Sequence, residues 1–267
     1  MRAEPLLHWR LGAHDLKPNR QWFFPFCNTA FRGTLSVFAD IQVQHRERLK
    51  VDGPVIYVCN HLANLDPPIV ASILPRRALF MAKRELFNNP LFTFLLKGWG
   101  AYPVSRYSAD LHALRWARAM LAHRRAVVMF PEGTRSRNLA GLKKAHIGPA
   151  LLAAQSGATL VPIGMYGTDN LQNILKVLMP IAKIRVSVGE PFKVCSGISD
   201  RALLERVTQE IMARIAINLP SERRGIYTDG VSKSFELTTP IEGHQDTEAV
   251  PGARNATVSS PTSRKSV

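Results

Sequence analysis

The chain alternates between two spacings of apolar residues, and that alternation carries most of its structural signal. Leu35, Val37, Ala39, Ile41 and Val43 recur with period two, the mark of a half-buried strand. After the polar stretch 46–53 comes an unbroken apolar run, Val55–Cys59, which reads as a buried strand ending at Asn60-His61. Residues 67–74 follow as a helix, 78–82 as a strand, and 90–96 as a short helix capped by Asn88 or Asn89. Ala101–Val104 is a short strand, and Ser108 is placed to cap a helix whose buried face carries Leu111, Leu114, Ala117 and Leu121. Residues 126–130 read as a buried strand, 146–156 as a helix stopped by Gly157, and 159–163 and 184–188 as strands. A last amphipathic helix sets Leu203, Leu204, Val207, Ile211 and Ile215 at helical spacing. Strands alternating with helices predict an α/β fold: a single layered domain with a central, mostly parallel or mixed sheet flanked by helices.

The pattern also divides the chain. Residues 1–33 interleave aromatics (Trp22, Phe23, Phe24, Phe26, Phe31) with Arg10, Lys17, Arg20 and Arg32. Such a segment either lies at a membrane interface, with rings at headgroup level, or packs its rings on the core. The folded domain is expected over 34–225. From 231 to 267 the chain is rich in Ser, Thr, Pro and charge, so this tail is expected to be disordered.

Composition changes this picture in one respect. A chain of 267 residues is long enough for a sizeable core, but its net charge of +15 is unusual and points to polyanionic partners. Nucleic acid is not expected among them, because no helix-turn-helix, zinc-finger or RNA-recognition pattern is present. The three cysteines, Cys27, Cys59 and Cys195, lie far apart and form neither a zinc motif nor a disulfide framework, which fits a reducing cytoplasm. No apolar stretch approaches the ~20 residues of a membrane span, and no signal-peptide pattern opens the chain. Contact with a membrane is therefore expected to be peripheral, on its cytoplasmic face.

Candidate chemistry gathers where the predicted strands end. His61 leaves a buried strand with Asp66 five positions on. A carboxylate accepting from one ring nitrogen leaves the other free to take a proton from a hydroxyl. Asp66 before Pro67-Pro68 is equally suited to cap a helix. Phe130-Pro131-Glu132-Gly133-Thr134-Arg135-Ser136 presents a carboxylate and a guanidinium on one tight turn. Arg135 has the planar fork that binds phosphate bidentately. Gly133 permits positive φ or close approach. Glu132 is expected either to meet an acceptor hydroxyl or to hold Arg135. Lys83 and Arg106 end two further strands, as phosphate contacts or simply as exposed bases. Pro162 lies within an apolar strand, which marks a sheet edge or shapes a pocket.

These blocks, in this order, resemble the glycerolipid acyltransferase family that includes 1-acyl-glycerol-3-phosphate acyltransferases. Asn60-His61-x4-Asp66 is similar to its catalytic block, Gly100 to Arg106 to its second, Phe130 to Ser136 to its third and Val161-Pro162-Ile163 to its fourth. Lys83 with Glu85-Leu86, and Gly189-Glu190-Pro191, also match. The second block departs from the family's Phe-Ile-Asp, reading Pro103-Val104-Ser105 before its arginine. The resemblance implies His61 as base and Asp66 as its partner. It implies a substrate site drawn from Asn60, Lys83, Arg106, Glu132, Gly133, Thr134 and Arg135. It further implies acyl transfer from acyl-CoA or acyl carrier protein to a lysophospholipid or phosphorylated glycerol, at an anionic membrane surface, with no bound cofactor or metal. Glycerol 3-phosphate, another lysophospholipid or a lyso-aminolipid are alternative acceptors.

Overall fold

A computed structural model describes residues 23–90, 93, 94, 96, 99–104, 110–136, 141–172, 179, 181–228 and 235–241. Along the chain the main elements are α1 (Phe23–Phe38), β1 (Ala39–Gln44), β2 (Val55–Cys59), α2 (Asp66–Ile73), β3 (Ala78–Lys83) and β4 (Ala101–Val104). They continue as α3 (Leu111–Ala122), β5 (Ala126–Met129), α4 (Gly148–Ser156), β6 (Thr159–Tyr166), β7 (Ala182–Val188), β8 (Phe192–Val194), α5 (Arg201–Ile217) and β9 (Thr238–Pro240).

The strands form one sheet in the order β1-β7-β6-β2-β5-β3-β4, with β8 pairing β6 and β9 pairing β8. The run β6-β2-β5-β3-β4 is parallel, and β7 joins it antiparallel. This is the layered, mixed α/β architecture the apolar pattern predicts. Every residue of β2 and β5 is buried, because helices cover both faces of the central strands. Val55, Tyr57 and Cys59 pack with Phe31, Leu35, Ile69 and Val70 of α1 and α2. Ile56 and Val58 face the other way, onto Trp116, Leu152 and Ile211 of α3, α4 and α5. Each such aliphatic side chain contributes about 1.5–3 kcal/mol by leaving water.

Two expectations change at the N-terminal side. The period-two run at 35–43 straddles a junction: the helix continues through Phe38 and the strand starts at Ala39. Leu35 is buried one turn after Phe31, while Val37 on the same helix is 74% exposed. Packing at i and i+4 outweighs the apparent alternation. The boundary drawn at 33/34 therefore falls inside α1, which belongs to the fold. Of its aromatics, Phe24 lies under the Arg77 guanidinium (5.1 Å) and Phe31 meets Trp99 edge-on (6.1 Å), whereas Phe26 is exposed. Arg32 Nε donates to Ser72 O at 2.6 Å, tying α1 to the end of α2. Trp22 and the bases before it lie outside the described residues.

In α3 the cap is Asp110, which accepts from Ala113 N at 3.0 Å; Ser108 lies outside the described residues. Leu111 is exposed, and the buried face is Ala113, Trp116, Ala117, Met120 and Leu121. Pro162 does not mark an edge, since β6 is flanked by β2 and β7. Its carbonyl accepts from Gly189 N at 2.8 Å, so its missing N–H falls where the chain passes from β7 to β8 and no ladder bond is lost. Gly189 is required there, because a Cβ would come within 2.8 Å of the Pro162 ring.

The tail expected to be disordered from 231 contains ordered chain. Glu210 accepts from Glu236 N, Leu237 N and the Thr238 hydroxyl. The buried Arg214 donates to Thr238 Oγ1 and O, between the rings of Phe192 and Phe235. Two charged residues of α5 thereby hold a segment too polar to announce itself. Residues 242–267 lie outside the described set. Among the described residues no helix is long and apolar enough to cross a membrane.

Candidate active site

Adjacent parallel strands β2 and β5 end side by side. Val58 stands opposite Met129, and three residues beyond each, the His61 amide donates to Glu132 Oε1 at 3.0 Å. Asn60 fixes the exit from β2. Its Nδ2 donates to Met165 O (2.7 Å) and its Oδ1 accepts from Met165 N (2.8 Å). Each end of that buried amide bonds to β6, so Asn60 latches the loop.

His61 is 5% exposed and Asp66 fully buried. Asp66 Oδ2 lies 2.9 Å from His61 Nδ1 and accepts from the Leu62 and Ala63 amides at 2.5 and 2.7 Å. A carboxylate can only accept, so Nδ1 carries the proton and Nε2 is left basic. Asp66 opens α2 but turns back over the preceding loop, with Leu65 in the cap position. It is therefore an orienter of the ring rather than a forward cap. The Phe130 ring stacks on the imidazole at 4.5 Å, and Ser136 N donates to His61 O at 2.7 Å.

Glu132 corrects a second expectation. It is 1% exposed and pairs with neither Arg135 nor solvent. One oxygen holds the His61 amide; the other accepts from the Ser136 hydroxyl and from Lys143 N (3.0 Å). Burial raises its carboxyl above the ordinary value, an effect offset in part by these donors and by His61. Its two oxygens accept three donors within the protein, so Glu132 stitches three loop segments together. Burial likewise pushes the Cys59 thiol well up, helped by Asp66 and Glu132; that thiol is no nucleophile.

The rest of the turn is more open. Gly133 has φ 66°, and a Cβ there would come within 2.7 Å of the His146 ring. Thr134 is exposed. Arg135 is half-buried and donates through NH1 to Gln172 Oε1 at 2.8 Å. Lys143 Nζ donates to Arg135 O at 3.1 Å. Lys83 ends β3, on the far side of β5, and pairs with Glu85 at 3.3 Å, outside the His61 network among the described residues. Arg106 lies outside the described residues. Ser136, Lys143 and Gln172 were not singled out from the sequence. Ser136 and Lys143 flank the Glu132 turn, but no periodicity or motif marks Gln172.

Comparison with known proteins follows this geometry. The family described as Acyltransferase matches residues 40–166, from β1 to the end of β6. A 1-acyl-sn-glycerol-3-phosphate acyltransferase of Bacillus subtilis is 29% identical over 169 residues, covering 63% of this chain and 81% of the relative. One of Chlamydomonas reinhardtii is 35% identical over 141 residues, covering 50% of this chain and 41% of the relative. The crystal structure of the 1-acyl-sn-glycerophosphate (LPA) acyltransferase, PlsC, from Thermotoga maritima shares the fold. Its TM-score is 0.54 at 21% identity, over 73% of this chain and 81% of that one. The buried His61–Asp66 pair lies within the matched region. From β1 to the end of β6 the chain is similar to the Acyltransferase family, and these relatives are 1-acyl-sn-glycerol-3-phosphate acyltransferases.

Proposed function

We propose that this enzyme moves a fatty acyl group from a thioester carrier to the free hydroxyl of 1-acyl-glycerol 3-phosphate, making phosphatidic acid for phospholipid synthesis. The observation that carries the reading is the 2.9 Å contact between His61 Nδ1 and the buried carboxylate of Asp66. Asp66 receives Nδ1–H, so Nε2 accepts a proton, and no side-chain nucleophile is needed when the substrate supplies the hydroxyl. The names of the relatives support the choice of acceptor.

In the proposed reaction Nε2 removes the proton as the hydroxyl oxygen bonds to the thioester carbonyl carbon. The tetrahedral oxyanion collapses, the C–S bond breaks, and the departing thiolate takes the proton held on the imidazolium. Asp66 stabilises that imidazolium, and Glu132 keeps the loop in register through the His61 amide. Holding both substrates in attacking geometry provides much of the acceleration. Arg135 takes the acceptor phosphate, with Gly133 and Thr134 lining its approach and Lys83 and Arg106 as outer cations. The carrier, coenzyme A or acyl carrier protein, is a cosubstrate.

The enzyme works at the surface of an anionic membrane, on the cytoplasmic face. The charge of +15 supports this, since each base near such a surface contributes about 1 kcal/mol. The test is thiol release from acyl-CoA in the presence of lysophosphatidic acid, for wild type and His61→Ala. Loss of turnover by at least ~10²-fold in a folded variant is expected; retained turnover removes His61 as base.

A further inference from the structure

We infer that Gln172 is a positioning residue: it aims Arg135 and locks it to the histidine loop, and so sets how tightly the acceptor's phosphate is held. The inference rests on the phosphate role proposed for Arg135. Gln172 follows β6 by six residues and touches both catalytic loops. Its Nε2 donates to Leu62 O at 2.8 Å and to Asp169 O at 3.2 Å, while its Oε1 accepts from Arg135 NH1 at 2.8 Å. Its main-chain carbonyl accepts from Asn64 Nδ2.

These partners allow one amide orientation only. A flipped side chain would set N–H against the guanidinium and a carbonyl against Leu62 O, losing every bond. The loop that carries Gln172 is itself anchored, because Arg223 pairs with Asp169 at 2.8 Å. The guanidinium is thus referenced to the residue next to His61.

The chemistry of the partner matters as much as its place. A carboxylate beside Arg135 would neutralise it and compete with an incoming phosphate. A neutral amide orients the guanidinium, uses one N–H, and leaves the full positive charge and the other donors for the ligand. The nearest carboxylate in sequence, Glu132, is turned away and spent on His61, Ser136 and Lys143. An amide holds the arginine, and the carboxylate holds the histidine loop.

The experiment is a double-mutant cycle in the full chain: wild type, Gln172→Met, Arg135→Ala and the double variant. Thiol release is followed with lysophosphatidic acid as acceptor and acyl-CoA as donor. Gln172→Met, close to glutamine in shape, is expected to raise the acceptor KM about tenfold or more, as loss of a bond to a charged group does. The donor KM should hold, and kcat should fall less than the acceptor KM rises. Without Arg135 the same substitution should add nothing to the acceptor KM. Gln172→Glu should raise it further than Gln172→Met by neutralising the guanidinium. An acceptor KM unmoved by Gln172→Met, where Arg135→Ala raises it, overturns this inference alone. So does an equal rise with and without Arg135, which would mean a general structural role. An acceptor KM unchanged in Arg135→Ala overturns the phosphate reading, and this inference with it.

Discussion

The two halves of the site are built by opposite rules. Around His61 the polar groups are buried and bonded inward: Asp66 Oδ2 takes three donors and Glu132 three more. Around Arg135 the chain is more open, with Thr134 exposed and Arg135 itself half-buried. The difference follows from what the proposed reaction asks of each half. A proton acceptor needs one fixed ring and one fixed tautomer, so its surroundings leave it no alternatives. A cation that receives a phosphate must leave donors unspent, because bonds satisfied internally are lost to the ligand. Gln172 is the side chain that connects the two regimes.

The sharpest way to break the comparison is Asp66→Asn. The asparagine carbonyl can keep the three donors of Oδ2, and the Oδ1 position has no hydrogen-bond partner to lose among the described residues. The charge disappears, and the amide nitrogen at the Oδ1 position costs about 1–3 kcal/mol as a buried donor without a partner. Fold should be retained by thermal melting, while kcat drops about 10²–10³-fold, or ~3–4 kcal/mol of barrier. A kcat within a few-fold of wild type would show that position alone, not charge, is what the ring needs.

Glu132→Gln separates architecture from binding. The amide end of glutamine would face an N–H donor, costing about 1–3 kcal/mol of stability. The cost should depend on pH. Burial raises the Glu132 carboxyl, so its contribution is greatest below the ordinary carboxylate value and is lost as pH climbs through the raised one. Wild-type stability therefore declines over that window and the variant's does not, so the gap between their melting curves should narrow as pH rises. A gap constant with pH would mean that Glu132 ionises as an exposed carboxylate does. Its acceptor KM should change less than that of Arg135→Ala; the reverse order would return Glu132 to the substrate side.

Lys83→Ala should give the smallest effect. A half-exposed cation paired at a strand end contributes ~0–1 kcal/mol, so the acceptor KM should rise by about fivefold or less and melting should be unmoved. A loss as large as that of Arg135→Ala would place Lys83 directly on the phosphate.

How much of this could be read in advance follows the same physics. The buried strands β2 and β5 show themselves as apolar runs, since parallel strands covered on both faces tolerate little else. His61, Asp66, Glu132 and Arg135 stand out because their spacing at strand ends is chemically suggestive. Their partners do not. Asn60 bonds through both ends of its amide to Met165 of β6, 105 positions on, beyond the reach of any local pattern. Glu132 beside Arg135 in sequence invites an ion pair that the turn does not make. Gln172 reaches Leu62 across 110 positions, a relation no local pattern encodes. The strand β9 escaped notice because three residues, two of them threonine, carry no periodicity.

That short strand has a consequence for solubility. The outer side of β8 would otherwise present unpaired amides and carbonyls, a template on which a second chain could zip. Residues 238–240 occupy it instead, and Pro240, opposite Phe192, has no amide hydrogen to offer a further strand. Ended before 235, the chain would keep its catalytic loops but expose that adhesive margin, and the damage would appear first as self-association rather than as lost turnover.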